Sequence, residues 1–197
     1  MPDLSSEMRI FSPSGQRLYL NDQEKAHLVA TAKRDLAPEW AAYFEGLCLT
    51  GCRVSEMLAV RAVDLNTDAF EVQLKTLKKR KDAWRIIPLP ETYFDPLQAV
   101  FNLRKMQATK SGSATRLWGF SRQRVSQVAA TLFASAGLDA FSPKACRHGF
   151  AISALGRGIP LTLVSEMMGH SSLEVTAIYA KAMNSEKRAM VARLWTN

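Results

Sequence analysis

One stretch of strict two-residue alternation limits what this chain can become. Phe70-Glu-Val-Gln-Leu-Lys75 runs apolar then polar, the period of a strand with one buried face. Trp84 to Leu89 is the partner candidate, closed off by Pro88 and Pro90. Between them lies the polar run Lys78-Lys-Arg-Lys-Asp82, which reads as a turn. The pattern predicts a β-hairpin over residues 70–89 with a strongly basic tip. Elsewhere apolar residues recur at helical spacing, so helices must supply most of the core. The expected fold class is α+β, mainly α, with a small antiparallel sheet.

The helices are signposted by their ends. Asn21 with Glu24 three residues on forms a capping-box pattern, opening a helix to about Arg34. Pro38 suits the first turn of a second helix, whose apolar face is Trp40, Tyr43, Phe44, Leu47 and Cys48. Gly51 breaks it, and a short helix follows from Arg53 to about Val60. Further helices are expected over roughly 91–108, Arg122–Ser135, Pro143–Leu155 behind the N-cap candidate Ser142, Pro160–Met168 and Leu173–Lys181. A tail helix, about 186–197, carries the apolar stripe Met190, Val191, Leu194 and Trp195. Residues 1–20 read as an N-terminal arm and 21–197 as one domain.

Charge narrows the partners. The 197 residues carry 26 Lys and Arg against 18 Asp and Glu, a net charge of +8. A basic domain of this kind is matched to a polyanion, most often nucleic acid. No apolar run is long enough for a membrane span, and the N-terminus lacks the basic-then-apolar pattern of a signal peptide, so a cytoplasmic location is expected. Cys48, Cys52 and Cys146 make an odd count without Cys-x-x-Cys spacing, so neither a disulfide framework nor a zinc site is expected.

Three segments carry candidate chemistry: Thr50-Gly-Cys-Arg-Val-Ser-Glu-Met-Leu58, Arg147-His-Gly-Phe-Ala151, and Met168-Gly-His-Ser-Ser172 followed by Thr176 and Tyr179. Arg53 and Arg147 each sit in apolar surroundings, unlike a solvated surface arginine. Together the segments resemble the signatures of the tyrosine recombinases, the phage integrase family. The spacing agrees: 23 residues from Arg147 to His170 and nine from His170 to Tyr179. The resemblance covers roughly residues 20–195.

It implies a site-specific recombinase that cuts and rejoins duplex DNA through a 3′-phosphotyrosine, by integration, excision, inversion or resolution. Tyr179 would be the nucleophile. Arg53 and Arg147 would clamp the phosphate oxygens, a task that suits a planar, permanently charged guanidinium. His170 would join them at the phosphate and help stabilise the phenolate. The phosphotyrosine keeps the phosphodiester energy, so no metal and no cofactor is implied. A hairpin lysine would protonate the leaving 5′-oxygen, with Lys75 and Lys78 both open. Lys79, Arg80 and Lys81 would touch the DNA backbone.

Where the family usually has histidine three residues before its second arginine, this sequence has Lys144, which keeps a proton donor but not a neutral base. Glu56, one helical turn from Arg53, is expected to orient it, and Asp64 to brace the turn before the hairpin. His148, directly after Arg147, is expected to point about 100° away and to be structural. The resemblance also implies self-association on DNA, as a tetramer on paired sites through the tail helix, and action at the bacterial nucleoid. Two alternatives share the fold: a type IB topoisomerase-like relaxing enzyme, and a non-catalytic DNA-binding regulator.

Overall fold

Capping chemistry sets where the elements begin. In the computed structural model, which describes residues 9–76, 83–170 and 172–182, α1 spans Asp22–Asp35. Its start is the expected capping box: the Asn21 side chain accepts from the Glu24 amide and the Glu24 carboxylate from the Asn21 amide, both at 2.8 Å. α2 (Pro38–Thr50) opens on its proline and ends at Gly51, whose φ of 59° is the left-handed cap that glycine tolerates. The short α3 (Val54–Leu58) follows with Arg53 at its N-cap. A 3₁₀ turn, Ala62–Asp64, leads into the sheet, and Asp64 braces it by taking the Arg61 amide at 2.8 Å.

The sheet has three antiparallel strands, β1 (Leu65–Asn66), β2 (Glu71–Lys75) and β3 (Trp84–Pro88), in that order. β2 and β3 form the expected hairpin, with Val72 opposite Ile87, Leu74 opposite Arg85 and Lys75 opposite Trp84. The two-residue β1 was not evident from so short a run. The hairpin tip, with Lys78, Lys79, Arg80 and Lys81, lies outside the described residues, as does the tail helix expected over 186–197.

The chain then returns to helices: α4 (Phe94–Phe101), α5 (Leu103–Gln107), α6 (Lys110–Ala114), α7 (Arg122–Ser135), α8 (Pro143–Gly156), α9 (Leu161–Met168) and α10 (Leu173–Ala182). The single helix expected over 91–108 is broken at Asn102. That residue takes φ 50°, a conformation asparagine tolerates better than most, and the Gln98 side chain accepts the Arg104 amide at 3.0 Å.

Two apolar clusters divide the interior. The larger gathers Tyr43, Phe44, Leu47, Leu74, Ile87 and Leu132 among α2, the sheet and α7. The smaller contains Ile10, Ala151, Leu155, Val164, Met168 and Tyr179. Residues 10–20 are thus part of the packed structure: Ile10 and Leu20 are buried, and the Leu20 amide donates to the Ala145 carbonyl at 3.2 Å. Gly149 permits this, because any Cβ there would collide with the Leu20 carbonyl.

Strand period also aims Arg85 inward, two residues before the buried Ile87. Its Nη2 meets Glu56 Oε2 at 2.7 Å, the two side chains being 3% and 0% exposed. This ion pair ties the hairpin to α3. Burial acts to raise the Glu56 carboxyl, but Arg85, the Arg53 amide and the Arg53 side chain outweigh it and hold the group below its ordinary value. A depressed carboxyl contributes stability that is present above its unfolded pKa and lost as pH falls through the folded one. Glu56→Gln would leave Arg85 buried without a counter-charge. It is expected to cost about 3–5 kcal/mol at neutral pH, with a smaller difference from wild type in acid, as read by denaturant unfolding across pH.

Candidate active site

The site is assembled around two helix ends. α9 stops at Gly169, φ 64°, and its last four carbonyls need partners. The His170 amide takes the Ser165 carbonyl at 3.0 Å and the Gly169 amide takes that of Glu166 at 2.8 Å. The other two are met by arginines: Arg85 Nε donates to Met167 at 2.7 Å, and Arg147 Nη2 to Met168 at 2.8 Å. Cations at a helix C-terminus also complement its dipole. Arg147 Nη1 reaches the second helix end, donating to the Gly51 carbonyl at 2.8 Å. A Cβ on Gly51 would run into the Phe150 ring, so glycine is needed there for space as well as for φ.

Arg147 is therefore buried, and burial with Arg53 nearby lowers its guanidinium to about 10, still charged at neutral pH. Arg53 is the more open of the two, its side chain 27% exposed, with Nη1 3.2 Å from Glu56 Oε1. Glu56 contacts Arg53 and also neutralises Arg85, a residue outside the sequence-predicted site. The signal was present: Arg85 occupies a core-facing position of an alternating strand.

His170 follows the left-handed Gly169, and its Nδ1 is hydrogen-bonded to Thr176 Oγ1 at 2.7 Å. Its ring lies parallel to that of Tyr179, 5° between planes and 6.1 Å between centroids. Burial, then Arg147, Arg53 and Arg85, push His170 down to about 3. At neutral pH it is therefore an uncharged hydrogen-bonding group. Tyr179 is only 3% exposed. Burial raises its hydroxyl above the ordinary phenol value, against the pull of Arg147 and Arg53.

The Tyr179 hydroxyl is 2.8 Å from His148 Nδ1. His148 is thus no backbone-bonded bystander. The one-residue offset turns it away from Arg147 and toward α10, which packs against α8 on that other side. Lys144, one turn earlier on the same helix face, was the available clue. Lys144 itself is exposed in the first turn of α8, and its charge acts on His148.

Lys75 lies on the strand face opposite Arg85, its Nζ 5.7 Å from the centre of the Trp84 ring. It lines a cavity of about 320 Å³ together with Glu56, Arg61, Asp64, Trp84 and Arg116. Lys78 lies outside the described residues. Among the described residues, no helix is long and apolar enough to cross a membrane.

The profile of the phage integrase family matches residues 19–186. Tyrosine recombinase XerD of Brucella suis is 32% identical over 162 residues, covering 77% of this chain and 50% of that protein. The chain spans about half the length of such curated relatives. The crystal structure of XerA recombinase superimposes with a TM-score of 0.72 at 24% identity, over 91% of this chain and 66% of that one. That of XerH site-specific recombinase, bound to its palindromic difH substrate after cleavage, gives 0.69 at 18% identity, over 91% and 54%. These structures share the fold, and the profile match over most of the sequence places the chain in the phage integrase family.

Proposed function

We propose that this chain is the catalytic part of a site-specific recombinase, cutting and rejoining duplex DNA through Tyr179. The observation carrying the reading is the gathering of Arg53, Arg147, His170 and Tyr179 from three separate segments of sequence. Residues 21–197 form the catalytic domain in this reading, with 1–20 as the N-terminal arm. The scissile phosphate sits against Arg53 and the open edge of Arg147, with His170 as a further hydrogen-bond partner. Tyr179 attacks phosphorus and leaves a 3′-phosphotyrosine and a 5′-hydroxyl. Lys75, or Lys78 as its alternative on the hairpin, protonates the leaving oxygen. Lys79, Arg80 and Lys81 hold the DNA backbone, and Lys144 adds positive charge at the start of α8. Protomers pair on two sites as a tetramer through the tail helix, at the nucleoid.

A nicked duplex made from the DNA flanking the coding sequence tests this by trapping a covalent adduct. Tyr179→Phe removes the attacking oxygen and is expected to abolish the adduct while leaving DNA affinity unchanged. Adduct formation by the Phe variant would overturn the assignment. Relaxation of any supercoiled plasmid without a partner site would instead favour a topoisomerase-like role.

Arg53 gives the cleaner test of the clamp. Arg147→Ala would also strand the Gly51 and Met168 carbonyls, at about 1–3 kcal/mol for each buried group left unpaired. Arg53→Ala leaves the Glu56–Arg85 pair in place and is expected to slow cleavage about 10²–10³-fold, the usual loss for one preorganised donor. DNA binding should fall far less, because other phosphate contacts remain.

The leaving-group acid is read with a bridging 5′-phosphorothiolate, whose thiolate departs without a proton. Lys75→Met is expected to cleave the ordinary phosphodiester slowly and the phosphorothiolate at nearly the wild-type rate. The same rescue in Lys78→Met, with Lys75→Met unaffected, would move the role to Lys78.

A further inference from the structure

We infer that His148 is the base that accepts the Tyr179 hydroxyl proton during attack, an assignment that rests on the recombinase reading above. The two side chains are already in hydrogen-bond contact at 2.8 Å, on facing helices α8 and α10. A phenol is the better donor of the two and a neutral imidazole nitrogen the better acceptor, so the hydroxyl donates to Nδ1. This is the nucleophile-and-base arrangement that activates hydroxyl nucleophiles in general. Lys144, in the position where the family usually has histidine, is an ammonium with three donors and no acceptor. His170 has its Nδ1 engaged by Thr176. His148 is the imidazole in contact with the attacking oxygen.

The surroundings explain why such a base would be silent without DNA. His148 is 1% exposed, and its Nε2 is buried with no hydrogen-bond partner among the described residues. Among the described residues no carboxylate is hydrogen-bonded to the ring to strengthen it, as one is in a serine–histidine–aspartate triad. The charged and titratable groups around it are Lys144 and Arg147 on α8, Tyr179 on α10 and His170 after α9. Burial, Lys144 and Arg147 push the imidazole down to about 3, so it stays neutral and open to a donor. A phosphodiester held by Arg147 brings negative charge to that neighbourhood. It offsets the cations that weaken the imidazole and raises its proton affinity when the substrate is in place.

The step balances. Tyr179 Oη forms its bond to phosphorus as its proton passes to His148 Nδ1, the phosphorus–O5′ bond breaks, and O5′ takes a proton from the hairpin lysine. In religation the 5′-hydroxyl attacks, the lysine recovers its proton, and the imidazolium returns the other to the departing phenolate.

His148→Asn tests the role, because asparagine places an acceptor oxygen near the former Nδ1 but cannot take up a proton. Single-turnover adduct formation is measured with the full chain on the nicked duplex carrying the 5′-phosphorothiolate, so that leaving-group protonation drops out. Wild-type adduct at Tyr179, absent in Tyr179→Phe, first establishes the recombinase reading independently of His148. The expected result is a loss of about 10²–10⁴-fold in His148→Asn, the span of general-base catalysis, shrinking as pH rises and the phenol ionises unaided. A variant within about threefold of wild type, with the same pH profile, would reduce His148 to a positioning residue and overturn the inference. Should the variant fail to fold, the wild-type sequence still decides. Its four tyrosines can be replaced by fluorotyrosine, which acidifies the phenol. A bend in the pH profile that stays in place belongs to the base; one that moves down with the phenol shows Tyr179 ionising without it.

Discussion

The C-terminus of α9 is the point on which the site depends. A helix end leaves carbonyls without partners, and here two of them are taken by Arg85 from the hairpin and Arg147 from α8. Those two guanidinium contacts join three parts of the chain at one spot. They also fix the αL turn at Gly169, and with it the place of His170. The approach is so close that a Cβ on Gly169 would sit 3.0 Å from Arg85 Nη1 and 3.1 Å from Thr76 Oγ1. Arg147 is thus oriented by main-chain oxygens, which cannot change with sequence.

Charge in this cluster is balanced unevenly. Arg53, Arg85 and Arg147 converge with Glu56 as the carboxylate paired to two of them. Burial first, and then the surplus of positive charge, pushes His148 and His170 toward neutrality. The same charge opposes the effect of burial on Tyr179, without overcoming it. A cluster with this surplus of positive charge is suited to an anion.

Much of this was legible in the sequence, for identifiable reasons. Period-two alternation located β2, Pro88 and Pro90 closed off its partner β3, and the Asn21–Glu24 pattern located the start of α1. Gly51 and Gly169 marked helix ends, which is where the motif residues Arg53 and His170 fall. The misses are equally specific. The break at Asn102 depends on a residue that tolerates αL without announcing it, and β1 is too short to show a period. Arg85 was passed over because an inward-facing charge runs against the usual burial of residue types. The contact of His148 with Tyr179 was not legible, because the angle along one helix says nothing about which helix packs opposite. The partners of α8 are a tertiary fact.

The division of the interior into two clusters has a consequence for where the molecule opens. Tyr179 and Met168 belong to the smaller cluster, with Ile10 and the helices α9 and α10, while the sheet, α2 and Leu20 belong to the larger. Regions with less buried apolar surface open at lower free energy than the global transition. Amide protons of α10 should therefore exchange through a partial opening that leaves those of α2 and α7 protected. Such an opening would expose the Tyr179 phenol to solvent while the rest of the molecule stays folded, making hydrogen exchange a direct gauge of how often that side chain is uncovered.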